Sequence, residues 1–421
     1  MFLLHHHRRF TFGLLLFLLW GVLGLQFSLA QQVGDRLTDW QEGYLDIHHI
    51  NTGKGESAFF IFPDGTTALV DAGDHARPPG PREVPARPDD SRMPGEWIAR
   101  YIQQVMKHGH GPAIDYAILT HFDTDHIGGI TDRNKPAPKG DYLLTGISQV
   151  ASFIPIRKII DRAWPDYNWP KPLTQKHILN YRKFVDWATK NQGLKVEKFQ
   201  VGRNDQIKLL HHPERYPNFE IRNIVANGEI WRGEGSGTYQ HFPPLETLGG
   251  DLPSENASSL GFKLTYGKFD YFTAGDLVGV PPAGSPTWKD IETPVAQAVG
   301  PVDVSIANHH AFIDAQNEAY IKTLQPRVTI IQSWVAAHPA HSTLSRLLST
   351  QLYPGERDIF TTNLKDETKV VIGGSINQLK SQQGHIVIRV SPGGEEYRIF
   401  VLDDTSESFR IQSVHGPYRS R

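Results

Sequence analysis

The chain has 421 residues, with 43 Lys and Arg against 45 Asp and Glu, 20 histidines and no cysteine. The missing cysteine excludes disulfides, thiolate metal sites and a cysteine nucleophile, so any metal must be held by histidine and oxygen. The balanced charge excludes the strongly basic footprint of most polyanion-binding proteins, and the length accommodates one large α/β unit with insertions.

Residues 1–30 carry His5-His6-His7-Arg8-Arg9, an apolar stretch from Phe10 to Leu25, and Ser28-Leu29-Ala30 before Gln31. This is the order of a signal peptide. The apolar run is shorter than the roughly 20 residues of a spanning helix. The expectation is cleavage before Gln31 and export to the periplasm or beyond, with no stable membrane association afterwards; an uncut anchor is the alternative. A folded domain is expected over 40–403 and a C-terminal tail over 404–421.

Within the domain, Asp74 to Gly95 holds six prolines and reads as a long loop. Ile98, Tyr101, Ile102, Val105 and Met106 follow the spacing of one apolar face, which predicts a helix over Trp97 to Lys107. Asp115 to Thr120 reads as a buried strand. It runs into His121-Phe122-Asp123-Thr124-Asp125-His126, four potential ligands in six residues. In extended geometry positions two apart share a face, so His121, Asp123 and Asp125 are expected to converge while His126 points to a second position. Four ligands so close together suit two cations better than one.

An insertion spans about 131–200, rich in aromatics and prolines around Trp164, Tyr167, Trp169 and Trp187. It reads as a small helical subdomain with those rings as core, or as a lid over the metals. Leu260, Phe262, Leu264 and Tyr266, a turn at Gly267-Lys268, then Phe269 and Tyr271 make a hairpin ending at Asp276. Val302 to Ala307 is a strand ending at Asn308-His309-His310, and Val328 to Gln332 another, ending before Trp334. Ile386 to Val401 closes the domain as a hairpin around Pro392-Gly393-Gly394. Strands of both kinds with intervening helices predict two sheets sandwiched between helices.

The motif from His121 to His126 resembles the His-x-His-x-Asp-His motif of the metallo-β-lactamase superfamily, with Asp123 where the second histidine usually stands. Leu45 to Ser57, Phe59 to Gly65 and Ala68-Leu69-Val70-Asp71-Ala72-Gly73 resemble its opening hairpin, and Thr273-Ala274-Gly275-Asp276, Asn308-His309-His310 and His338-Pro339 follow in order. The flavour is most similar to the hydrolase domain of bacterial competence (DNA-uptake) proteins. The resemblance implies an α/β fold, an αββα metallo-β-lactamase-like sandwich with a helical insertion, and two divalent metal ions, Zn²⁺ or Mn²⁺. It implies His121 and Asp123 on the first metal, Asp125 and His126 on the second, Asp276 between them, and His310 or His309 closing the second site. Asp71 would orient the motif loop from beneath. Where the superfamily usually supplies a further histidine, this chain reads Glu255-Asn256-Ala257-Ser258-Ser259, which leaves Asn256 as a ligand of an oxygen-rich first site.

The function so implied is an exported metal-dependent hydrolase of phosphodiester bonds, acting on a nucleic-acid or small-molecule substrate. Asp125 is the candidate for orienting the attacking water, and His338 for assisting the anionic intermediate or the leaving group. A lactone, ester or amide hydrolase of the same fold is the alternative, and a non-catalytic binding module with a thinned first site is another. His48, His49, His108, His110, His211, His212 and His241 read as structural or surface residues, and Lys263 and Trp334 as structural.

Overall fold

The structure, a computed structural model, describes residues 31–75, 80–106 and 111–421. The signal-peptide expectation and the readings of His108 and His110 therefore lie outside the described residues. Among those described, no helix is long and apolar enough to cross a membrane.

In chain order the strands are β1 (Leu45–His49), β2 (Ala58–Ile61), β3 (Thr67–Val70), β4 (Ile114–Leu119), β5 (Ile156–Asp161), β6 (Lys195–Lys198), β7 (Phe219–Ala226), β8 (Glu229–Trp231) and β9 (Thr238–Gln240). They continue as β10 (Gly261–Tyr266), β11 (Phe269–Thr273), β12 (Val304–Ile306), β13 (Val328–Ile331), β14 (Asp358–Thr361), β15 (Leu379–Ser381), β16 (His385–Val390), β17 (Glu396–Leu402) and β18 (Ile411–Arg419). One sheet runs β18-β17-β16-β1-β2-β3-β4-β5-β6, the other β15-β14-β13-β12-β11-β10-β7-β8-β9. The first is antiparallel through β3 and parallel from β3 to β6. The second is parallel from β11 to β15.

Alternation along each strand sorts its side chains between two layers. In β2 and just past it, Ala58, Phe60 and Phe62 face the inter-sheet core with Phe262, Leu264 and Tyr271. Phe59 and Ile61 face the opposite way, among residues from the helices Pro94–Val105, Gly146–Phe153 and Lys176–Gln192. The outer face of the second sheet is covered by Glu292–Val299, Glu318–Leu324 and His341–Leu348. The result is the αββα sandwich expected from the sequence.

Two expectations change. The segment 131–200 is not a helical subdomain: β5 and β6 extend the first sheet beside β4, and the two helices between them and β4 cover it. Its rings form core, with Tyr167 and Tyr181 packing on Phe122, inside the ligand motif, at centroid distances of 5.6 and 5.8 Å. The C-terminal residues are not a tail either, since β18 pairs antiparallel with β17. Gly416-Pro417 and the polar faces of β18 hide that strand from a pattern-based reading.

Candidate metal centre

β4 is buried along its length, and the chain leaves it extended as far as Asp123 (φ −71°, ψ 157°), which precedes a single helical turn, Thr124–Ile127. The expected convergence of His121, Asp123 and Asp125 on one face therefore holds only for the first two. The turn swings Asp125 and His126 to a second position, because helical and extended periodicities differ.

Asp71, at the end of β3, holds this loop from beneath. Its Oδ1 accepts the Thr120 N–H at 2.8 Å, and its Oδ2 accepts the Thr120 hydroxyl at 2.6 Å and His126 Nδ1–H at 2.7 Å. With Nδ1 so engaged, His126 presents the lone pair of Nε2 to the cluster. His310 is oriented the same way, by Nδ1–H donation to the Gln332 carbonyl at 2.9 Å.

Asp276 follows β11 and touches both halves of the cluster. Its Oδ1 lies 3.2 Å from His126 Nε2, while its Oδ2 lies 3.5 Å from His310 Nε2, 3.8 Å from His121 Nε2 and 3.9 Å from His309 Nε2. Asp125 Oδ2 is 3.1 Å from His310 Nε2 and 3.8 Å from His126 Nε2. Asp123 Oδ2 is 3.7 Å from His121 Nε2 and its side chain is 46% exposed. One set is thus His126, His310 and Asp125, the other His121, Asp123 and His309, with Asp276 common to both. Of the two adjacent histidines, His310 is the one fully buried against Asp125; His309 sits at the rim, its Nδ1 2.6 Å from Asp314 and its Nε2 3.1 Å from the Asn256 amide.

The pair His309-His310 and Ala311 all take left-handed φ, 46°, 51° and 60°. That is costly for residues with a Cβ. The loop is held by the buried Glu292 carboxylate, which accepts the Asn308 amide and the Gln316 and Asn317 N–H groups, each at 2.8 Å.

His338 is 5% exposed and stacks on His310 at 4.8 Å between centroids. Burial, with the neighbouring His310 and His309, pushes its pKa well below the usual histidine range, so it is a neutral imidazole. This favours hydrogen-bond donation over the proton-donor role in the sequence reading. Trp334 lies edge-on to both rings, 6.1 Å from His310 and 5.5 Å from His338.

The donor set fits divalent metal. His121 Nε2, His126 Nε2, Asp276 Oδ1 and Glu56 Oε2 are buried without a hydrogen-bond partner, a condition that buried polar atoms rarely tolerate. Cations held by the two sets would satisfy all four. Burial alone would raise the Asp276 carboxyl, yet His310, His126 and His309 hold it well below the usual carboxylate range.

Glu56 was not singled out from the sequence. It lies in the β1–β2 loop, 2% exposed, and one donor atom each from Glu56, His126, Asp276 and His310 lie within 4.8 Å of one another. A glutamate inside Gly-Lys-Gly-Glu-Ser, ahead of the wholly apolar Ala58 to Phe62, is the signal that marks it. Also unforeseen is the buried Arg162, whose guanidinium meets Glu255 at 2.9 and 2.5 Å. Glu255 in turn accepts the Phe122 N–H at 2.9 Å, tying the Asn256 turn to the motif loop. His48 is structural, bonded through Nδ1 to the Tyr101 hydroxyl at 3.0 Å.

A sequence model of the metallo-beta-lactamase superfamily matches residues 51–132. No curated protein matches the chain. Among solved structures, a protein from Parabacteroides distasonis described as a metal-dependent hydrolase is 13% identical, covering 79% of this chain and 99% of its own (TM-score 0.34). Zn²⁺-bound PqqB from Methylobacterium extorquens is 10% identical, covering 68% and 88% (TM-score 0.32). A protein of unknown function from Enterococcus faecalis is 9% identical, covering 81% and 76% (TM-score 0.29).

Proposed function

We propose that this chain, a metal-dependent hydrolase whose residues 51–132 match the metallo-β-lactamase superfamily, cleaves phosphodiester bonds with two divalent cations, Zn²⁺ or Mn²⁺, after export. The observation that carries the reading is the position of Asp276 between two sets of histidine and carboxylate donors. Bound there, two cations would supply Lewis-acid polarisation of the scissile group and a more acidic water.

The chain's own groups do the rest. Asp125 orients the attacking water. His338 donates a hydrogen bond to the oxygen on which charge develops. Asp71, Gln332 and Asp314 keep His126, His310 and His309 in their ligating orientation. The buried Trp334, edge-on to His310 and His338, limits water around the cluster. Asp123 and Asp276 give the first set two carboxylates, which favours a hard cation and an anionic phosphoryl group over a neutral carbonyl. Near-neutral charge favours a short or small phosphodiester over a long polyanion.

The test is turnover of bis(p-nitrophenyl) phosphate, single-stranded DNA and a lactone panel by protein loaded with Zn²⁺ or Mn²⁺. Phosphodiester cleavage is expected. Lactone turnover without it would transfer the assignment to ester chemistry, and no turnover with less than about half an equivalent of bound metal would favour the binding module. Export predicts a mature N-terminus at Gln31, read by intact mass of protein from the native host; retained Met1 in the membrane fraction would overturn it.

A further inference from the structure

The loop between β1 and β2 lies backbone against backbone on the ligand motif. Glu56 N–H donates to the Asp125 carbonyl at 2.8 Å, and Gly73 N–H donates to the Glu56 carbonyl at 2.9 Å. Nothing larger than glycine fits beside it: a Cβ on Gly55 would stand 2.3 Å from the Asp125 carbonyl oxygen, and one on Gly73 would stand 2.1 Å from the same atom. The contact fixes the Glu56 backbone under the motif. Its side chain then enters the cluster, with Oε2 buried, unpartnered and 3.8 Å from His310 Nδ1.

Among the described residues no ion pair joins that carboxylate to a lysine or arginine, and the His310 Nδ1–H is already given to Gln332. An ionised carboxylate buried in such a place needs a cation beside it, since an unpaired charge is among the costliest arrangements in a protein interior; without the cation it takes up a proton instead. The other three members of its group, His126, Asp276 and His310, come from three separate loops and both sheets.

We infer that Glu56 is a protein ligand of the second metal, so that Glu56, His126, Asp276 and His310 form a filled four-donor cage. The inference rests on the dinuclear reading above. It makes the pair unequal. A site with four protein ligands is closed and holds its ion tightly, whereas the first, with partly exposed Asp123 and the Asn256 amide, keeps positions open for exchange and substrate. Asp125, whose Oδ2 lies 3.1 Å from His310 Nε2, meets the same site from the motif side and orients the water there.

The experiment is equilibrium dialysis of the full chain against buffers of graded free Zn²⁺, with elemental analysis and melting curves, on wild type, Glu56→Gln, Glu56→Ala and Asp123→Asn. Two classes of Zn²⁺ are expected in wild type. Both Glu56 variants should weaken the tighter class at least ~10-fold and leave the looser one in place, while Asp123→Asn does the reverse. Metal-free Glu56→Gln should melt at or above metal-free wild type, because it removes a buried carboxyl that is costly to ionise without the metal, and should gain less on adding Zn²⁺. A tight class within about threefold of wild type in both variants, or a metal-free melting point that falls as far as the metal-bound one, overturns the inference alone. Wild type that holds no Zn²⁺ overturns the dinuclear reading with it.

Discussion

Asp71→Asn isolates the orienting role of a carboxylate that touches no substrate. Asp71 has φ 58°, a conformation that asparagine tolerates, so the substitution adds little backbone strain. Its two oxygens accept three donors: the Thr120 N–H, the Thr120 hydroxyl and His126 Nδ1–H. An amide in the same place has one acceptor and one donor end. Either orientation sets an N–H against a donor, and if that donor is His126 the ring turns its other tautomer to the metal. Loss of such an orienting partner costs about 10–100-fold in metal affinity, or about 1.4–2.8 kcal/mol. The unmatched buried donor costs about 1–3 kcal/mol of folding stability besides. Chelator competition with Zn²⁺ reads the first and melting of the metal-free protein the second. Zn²⁺ affinity within about threefold of wild type would refute the argument that Asp71 sets the His126 tautomer.

Asp276→Ala should lower occupancy of both metals together and turnover at least ~100-fold, while Asn256→Ala touches only the first site; elemental analysis of the two variants separates them. Arg162→Ala should cost about 3 kcal/mol or more by stranding Glu255 and loosen the motif loop through Phe122, measured as a lower melting temperature with weaker Zn²⁺ binding at the His121 side. Acid should destabilise the fold through His49 and His385. Burial holds both folded pKa values at about 3, with the nearby His48 adding to the effect. The unfolded chain takes up these protons near pH 6.5 and the folded chain does not, so stability is full above that pH and falls by about 1.4 kcal/mol per unit per histidine towards pH 3. His49→Leu should flatten the slope between pH 6.5 and 5 in denaturant titrations, and an unchanged slope would count against it.

What the sequence made legible was local. His121 to His126 stands out because four ligand types crowd into six residues, and Asp276 and His309-His310 because each ends an alternating or apolar strand. Which face Asp125 takes was not legible, since it depends on where the helical turn starts. Neither was Glu56, whose meaning arises only when β1–β2, the motif turn and the His310 loop meet across two sheets. The parallel additions β5 and β6 were hidden by loops and aromatics that read as a subdomain, and β18 by a register with β17 that no local pattern encodes. Asn256 was placed beside His309, but its polar neighbour Glu255 carries the link to Arg162.

The loop that bears His309 and His310 is closed at its base by Glu292, which grips Asn308 at one end and Gln316 and Asn317 at the other. Between those anchors Ile313 is 56% exposed, and Phe312 lies against His309 and His338. Anchoring and recognition are thus divided within one short segment. A substitution at Ile313 would change the exposed tip without moving the ring nitrogens at the base, whereas one at Asp314 would release His309 Nδ1, so the freedom to vary is confined to a single position between two constrained neighbours.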